Sequence, residues 1–211
     1  MTHYPALEAW AASMQVIIDA IKSEQITEKP ANNSILTKQV LLEIISHEGI
    51  VPEAYKDSKG IWTWGIGVTT ASGHSVQRYI DHPQPLSRVI EVYKWLLETK
   101  YLPDVLEAFK GHKLSENELA SALSFHYNTG AIKKASWVKA FMAGNVSSAK
   151  QLFMNYRKPV EIIDRRTKER DLFFKGSWSN DGKALVYSEV SKPSYVPRWR
   201  SAKRVDISKE L

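Results

Sequence analysis

The chain has 211 residues, 29 Lys and Arg against 23 Asp and Glu, a formal net charge of +6, and no cysteine. The missing thiol excludes disulfide scaffolds, Cys-ligated zinc and cysteine nucleophiles, and no apolar run approaches the ~20 residues of a membrane-spanning helix. At 43% hydrophobic residues the chain is long enough to bury a core, whereas the positive balance fits an anionic partner or plain solubility and decides nothing alone.

Residues 1–34 read as a helical N-terminal extension. Leu7, Trp10, Met14, Ile17, Ile18 and Ile21 recur at helical spacing, and 29–34 is a polar linker. Glu8 and Asp19 interrupt what a secretory or arrest segment would keep apolar, so synthesis as a soluble cytoplasmic protein is expected. From 35 to 178 the pattern is mostly helical. Leu36, Val40 and Ile44 mark one helix, and 50–75 breaks the period with a Gly-, Thr- and aromatic-rich hairpin turning at 57–60. Leu86 to Leu97 forms the next amphipathic stretch, which Pro103 is expected to stop. Ser115 and Glu118 form a capping box opening a helix that carries His126 and ends at Gly130. Further helices are expected over 136–143, 147–156 and 159–174. Residues 179–211 have no period, carry an excess of basic side chains and read as an irregular tail.

Glu48 is the informative position. Stepping by four from Leu36 through Val40 and Ile44 lands on it, and Gly49 then ends the helix. Partial desolvation and the negative end of a helix dipole would both favour its protonated form, as a general acid requires. A solvent-facing terminal Glu, or one paired with an Arg, remains an equally simple reading.

Nine residues on, Asp57 opens the tight turn, and Thr63 follows on the returning strand. There Ile61, Thr63 and Gly65 share one face and Trp62, Trp64 and Ile66 the other. Thr63 is thus expected to face the same groove as Asp57, with Gly65 and Gly67 leaving room for a ligand beside the backbone. One carboxylate in apolar surroundings and one exposed beside a hydroxyl suit glycoside hydrolysis: the first protonates the leaving oxygen, the second stabilises positive charge at the sugar carbon. His47-Glu48 is no zinc-protease motif, because Val51 stands where the second His belongs. No metal or other cofactor is expected.

The segment from His47 to Gly73 resembles the active-site stretch of the phage-type lysozymes, the muramidase endolysins of tailed phages. Glu48, Gly49, Tyr55, Asp57, Gly60, Thr63, Gly65 and Gly67 match that pattern in type and spacing. The resemblance implies an α+β fold, with a small antiparallel hairpin lobe, a larger helical lobe and the active-site cleft between them. It assigns Glu48 as general acid, Asp57 as second carboxylate and Thr63 as the hydroxyl placing water or sugar, with Tyr55, Gly65 and Gly67 supporting or binding substrate. In relatives an Arg of the late helix approaches the catalytic Glu; Arg165 matches best, Arg166 being the alternative. The implied catalytic domain spans 35–178, flanked by the extension 1–34 and the basic tail 179–211. Val68 departs from the pattern, since many relatives carry His there.

The implied activity is hydrolysis of the β-1,4 bond between N-acetylmuramic acid and N-acetylglucosamine, for host-cell lysis or wall penetration. Bacterial peptidoglycan is the expected partner, with no nucleic acid, no transmembrane segment and a monomeric state. Synthesis in the host cytoplasm and action on the cell wall follow from the same resemblance. A lytic transglycosylase, or a non-catalytic wall-binding or virion protein, stays open at this point.

Overall fold

The computed structural model describes residues 35–211. The helix and linker expected over 1–34 lie outside the described residues.

Helix α1 (Lys38–Ser46) begins at Thr37, whose hydroxyl accepts the Val40 N–H at 3.2 Å, supplying a partner for one of the free amides of a helix start. Val40, Leu41, Ile44 and Ile45 bury its inner stripe. The helix stops at His47, earlier than the spacing predicts, and strand β1 (Gly49–Lys56) starts at once. Gly49 therefore opens a strand rather than capping a helix. Its hydrogen is required by packing, because a Cβ there would sit 2.9 Å from the Tyr187 ring.

Strands β2 (Trp62–Gly65) and β3 (Val68–Thr69) complete the expected antiparallel lobe, with Tyr55 opposite Thr63 and a bulge between Val51 and Tyr55. Trp64 is fully buried, bonds the Pro52 carbonyl at 2.7 Å and stacks on Tyr79 with ring centres 4.0 Å apart. It is core.

Helix α2 (Leu86–Leu96) does not end at Pro103. It passes through a π turn (Leu97–Tyr101) into α3 (Leu102–Ala108), where Pro103 occupies the first turn, the one place in a helix that does not need its missing N–H. Helix α4 (Glu116–Thr129) has the expected Ser115–Glu118 capping box and a left-handed Gly130 at its end. Every residue from Leu119 to His126 is buried, so α4 is the axis of the helical lobe. His126 is a core histidine paired with Asp104 at 3.3 Å, and burial lowers its pKa despite that partner. Helices α5 (Ser136–Met142), α6 (Val146–Phe153) and α7 (Ile163–Lys175) pack around α4. Between them Trp137, a residue without a role in the sequence reading, contacts Phe109, Phe125, Phe153 and Phe173 at ring separations of 4.5–5.9 Å.

The tail is not irregular. Strand β4 (Lys183–Tyr187) pairs parallel with β1, and β7 (Ala202–Asp206) pairs antiparallel with β4, giving a five-stranded sheet in the order β3-β2-β1-β4-β7. A separate ribbon joins β5 (Val190–Ser191) to β6 (Val196–Pro197). Ala184 and Val186 turn inward while Lys183 and Leu185 stay outside, a short alternation that the surrounding Gly, Pro and basic residues hide from sequence inspection. Among the described residues no helix is long and apolar enough to cross a membrane.

Candidate active site

Glu48 occupies the bend between α1 and β1. The expected apolar pocket is absent: the side chain is 21% exposed, and Arg165 Nη1 donates to its Oε1 at 2.5 Å. Arg165 is aimed by contacts to two further residues, Glu169 and Ser124. Its Nε donates to Glu169 Oε1 at 2.8 Å and its Nη2 to the Ser124 carbonyl at 3.2 Å. The i,i+4 pair visible in the sequence thus forms, but inside the α4–α7 interface, where it orients the guanidinium rather than decorating a surface. Burial alone would weaken the hold of Arg165 on its proton; Glu48 and Glu169 outweigh it and raise its pKa.

Arg166 points elsewhere. It is fully buried, pairs with Glu169 Oε2 and Asn128 Oδ1, donates to the Tyr156 carbonyl at 3.0 Å and lies 4.7 Å from the Phe125 ring centre. Glu169 therefore bridges both arginines and also accepts from Ser124 Oγ at 2.6 Å. Each of its oxygens is engaged, as a buried carboxylate requires.

Four tyrosines lie within electrostatic reach of Glu48. Burial is the first cause raising the pKa of Tyr55, Tyr93, Tyr101 and Tyr127, and the negative charge of Glu48 adds to it in each. Their hydroxyls stay protonated and available as donors. Tyr127 uses its own on the Ile66 carbonyl, whereas the buried Tyr93 hydroxyl has no partner among the described residues. Tyr55 feels Asp57 and Tyr187 as well as Glu48, so both carboxylates lie within electrostatic reach of its hydroxyl.

Asp57 is held locally. Its Oδ1 accepts the Lys59 and Ile61 N–H groups at 2.8 and 2.9 Å, closing an Asx-type turn, and Oδ2 has no partner among the described residues. Thr63 is buried, and its hydroxyl donates to the Ile61 carbonyl at 3.1 Å, so its remaining lone pairs are acceptors. Gly65 and Gly67 do not leave the expected space. Both adopt left-handed backbone in the β2–β3 turn, and a Cβ would meet Val89 at 3.0 Å or the Tyr127 hydroxyl at 3.4 Å. The left-handed backbone is what calls for glycine at both positions, and only at Gly65 is the approach to the helical lobe also tight.

Residues beyond the sequence-level candidates also shape the site. Glu43 on α1 is fully buried and accepts from Ser179 N and Oγ and from Asn180 N and Nδ2 at 2.6–3.0 Å, tying the chain after α7 to the helix that leads into Glu48. Burial opposes its ionisation, but the nearby His47 ring at 3.6 Å and hydrogen bonds from Ser179 and Asn180 prevail and lower its pKa to about 2. On the other side, the Lys56 N–H donates to the Tyr195 carbonyl at 2.7 Å, Tyr195 packs edge-on against Trp62, and Lys192 bridges Glu53 and Asp81. The tail braces the strand that leads into Asp57. Only a low glycine-free alternation at 183–187 signals this in the sequence.

A family model described as phage lysozyme matches residues 45–169. Among solved structures, the chain is similar to the endolysin of Escherichia coli O157:H7 phage FAHEc1, with 24% identity and a TM-score of 0.61, over 69% of this chain and 96% of that one. A P22 lysozyme aligns at 23% identity and TM-score 0.55, over 66% and 97%. The muramidase domain of SpmX from Asticaccaulis excentricus aligns at 21% identity and TM-score 0.53, over 66% and 97%. These likenesses establish the fold. No curated protein sequence matches.

Proposed function

The chain belongs to the phage lysozyme family, and from that premise we propose that it is a peptidoglycan hydrolase cleaving the β-1,4 bond between N-acetylmuramic acid and N-acetylglucosamine. The observation that carries this reading is that Glu48, paired with Arg165, and Asp57, engaged by its turn through one oxygen, both act electrostatically on Tyr55 of the strand that joins them.

Glu48 must first take up a proton against the pull of Arg165, and it then gives that proton to the glycosidic oxygen as the bond to the anomeric carbon breaks. Arg165 holds Oε1 in place, leaving Oε2 to face the leaving group. The ionised Asp57 stabilises the positive charge growing at the sugar carbon through Oδ2, the oxygen its turn does not use. Thr63, whose own proton is committed to Ile61, accepts a hydrogen bond from the attacking water and turns the water's lone pair toward that carbon, while the Asp57 carboxylate takes the proton the water sheds. Water adds its hydroxyl to the anomeric carbon and the departing sugar keeps the proton from Glu48. Such an enzyme would be made inside the host and act on the wall, as an endolysin does.

The test is turnover on purified peptidoglycan sacculi. Glu48→Gln keeps size and hydrogen bonding but removes the proton, and turnover is expected to fall by about 10³-fold or more with an unchanged melting temperature. Unaltered turnover by Glu48→Gln would remove Glu48 from the chemistry, and a parent chain without turnover would be assigned a non-catalytic wall-binding or virion role.

A further inference from the structure

Residues 183–206 lie beyond the stretch matched by the family model, and the phage FAHEc1 and P22 relatives align over 96–97% of their own length while covering 66–69% of this chain. This added segment nevertheless reaches the proposed site. The Tyr187 ring lies over Gly49, the residue after Glu48, and bears on the ionisation of Tyr55. Trp199 sits edge-on to Tyr187 with ring centres 5.5 Å apart and is 68% exposed. It borders a hollow of about 620 Å³ whose walls include Pro197, Arg198, Arg200 and Glu189. Glu189 neutralises Arg198 at 3.0 Å, whereas Arg200 is exposed and without an ion-pair partner among the described residues.

An exposed indole beside a free guanidinium is an unusual surface for a segment otherwise paired with strand and counter-charge. What sets Trp199 apart from a lone surface aromatic is its place: it lines a hollow together with Arg200 and rests on Tyr187, so its open face and a charged group are presented together. An aromatic face suits the apolar face of a pyranose, and a free Arg suits a carboxylate in bidentate fashion. Peptidoglycan offers both in one polymer, as N-acetylated sugars and the carboxylates of the peptide stems. We propose that Trp199, Tyr187 and Arg200 form an accessory subsite that holds the uncleaved continuation of the same glycan strand beside the Glu48–Asp57 site. The proposal rests on the hydrolase reading for its ligand, and the continuous path Trp199–Tyr187–Gly49–Glu48 gives it its place.

Co-sedimentation with purified sacculi tests it in the Glu48→Gln background, which binds without degrading the probe. Trp199→Ala is expected to weaken binding about tenfold and Arg200→Ala severalfold. Both side chains are exposed, and unchanged melting temperatures would confirm that the fold is retained. N-acetylglucosamine oligomers should compete for the parent and lose part of that competition against Trp199→Ala. Binding indifferent to both substitutions, in a chain that hydrolyses sacculi, would overturn the subsite and leave the hydrolase reading standing. A parent chain that releases no sugar yet sediments in a Trp199-dependent manner would overturn the hydrolase reading and leave the subsite.

Discussion

The two carboxylates of the site are positioned by opposite strategies. Asp57 is fixed by its own turn, through backbone amides two and four residues away. Glu48 is fixed across 117 positions of sequence by Arg165, itself held by Glu169 and Ser124 within a buried ionic network. Local geometry survives many changes elsewhere. A long-range network concentrates its dependence in a few side chains, so the Glu48 side should be the more fragile half of the site.

Substitution at Glu169 should break that asymmetry most. Glu169→Ala leaves Arg165 and Arg166 facing each other in the interior without their shared counter-charge, a loss of about 3–5 kcal/mol that chemical denaturation would measure, with activity falling in step. A smaller figure, near that of a surface pair, would show that the network is solvated in solution.

Acid should come next. Glu43 has its pKa lowered to about 2 in the folded chain against 4.5 as the ordinary value. A depressed carboxyl pKa contributes stability above the unfolded value, and the contribution is lost as pH falls through the range between the two. Melting temperatures should therefore decline from about pH 4.5 toward pH 2, the group accounting for about 2 kcal/mol after allowance for screening. Glu43→Gln should flatten that decline while lowering stability at neutral pH. An equally steep decline in the variant would place the acid sensitivity elsewhere.

On the Asp57 side the effects should be smaller and separable. Asp57→Asn keeps the Oδ1 acceptor and so the turn; Asp57→Ala removes it and should cost about 1 kcal/mol more. Both should lose activity, because neither carries the charge. Equal stability of the two would mean that the turn does not rely on the side chain. The weakest effect concerns the net charge of +6: the rate on sacculi should fall between low and high salt as steering is screened, and a flat response would remove charge from the account.

The same contrast governs how much was legible in the sequence. Glu48, Asp57 and Thr63 stand out because a helix end, a turn and a strand fix them within sixteen residues. The α+β class and the helical lobe follow from periodicity and caps at Ser115 and Gly130. Arg165 and Arg166 were not separable, since neighbours on a helix point about 100° apart and only the docking of α7 on α4 selects one. Glu43 hid for the same reason, its partners lying 136 and 137 positions away. Strand β4 was lost because two inward residues are too short a pattern to read, and its parallel partner β1 is remote in sequence.

Product analysis is the most direct test of the central claim that two carboxylates act on one sugar with water as the acceptor. Mass spectrometry of sacculi digested by the chain should find new reducing muramic acid ends carrying the mass of one added water. Muropeptides ending in anhydro sugars, formed without water, would contradict it.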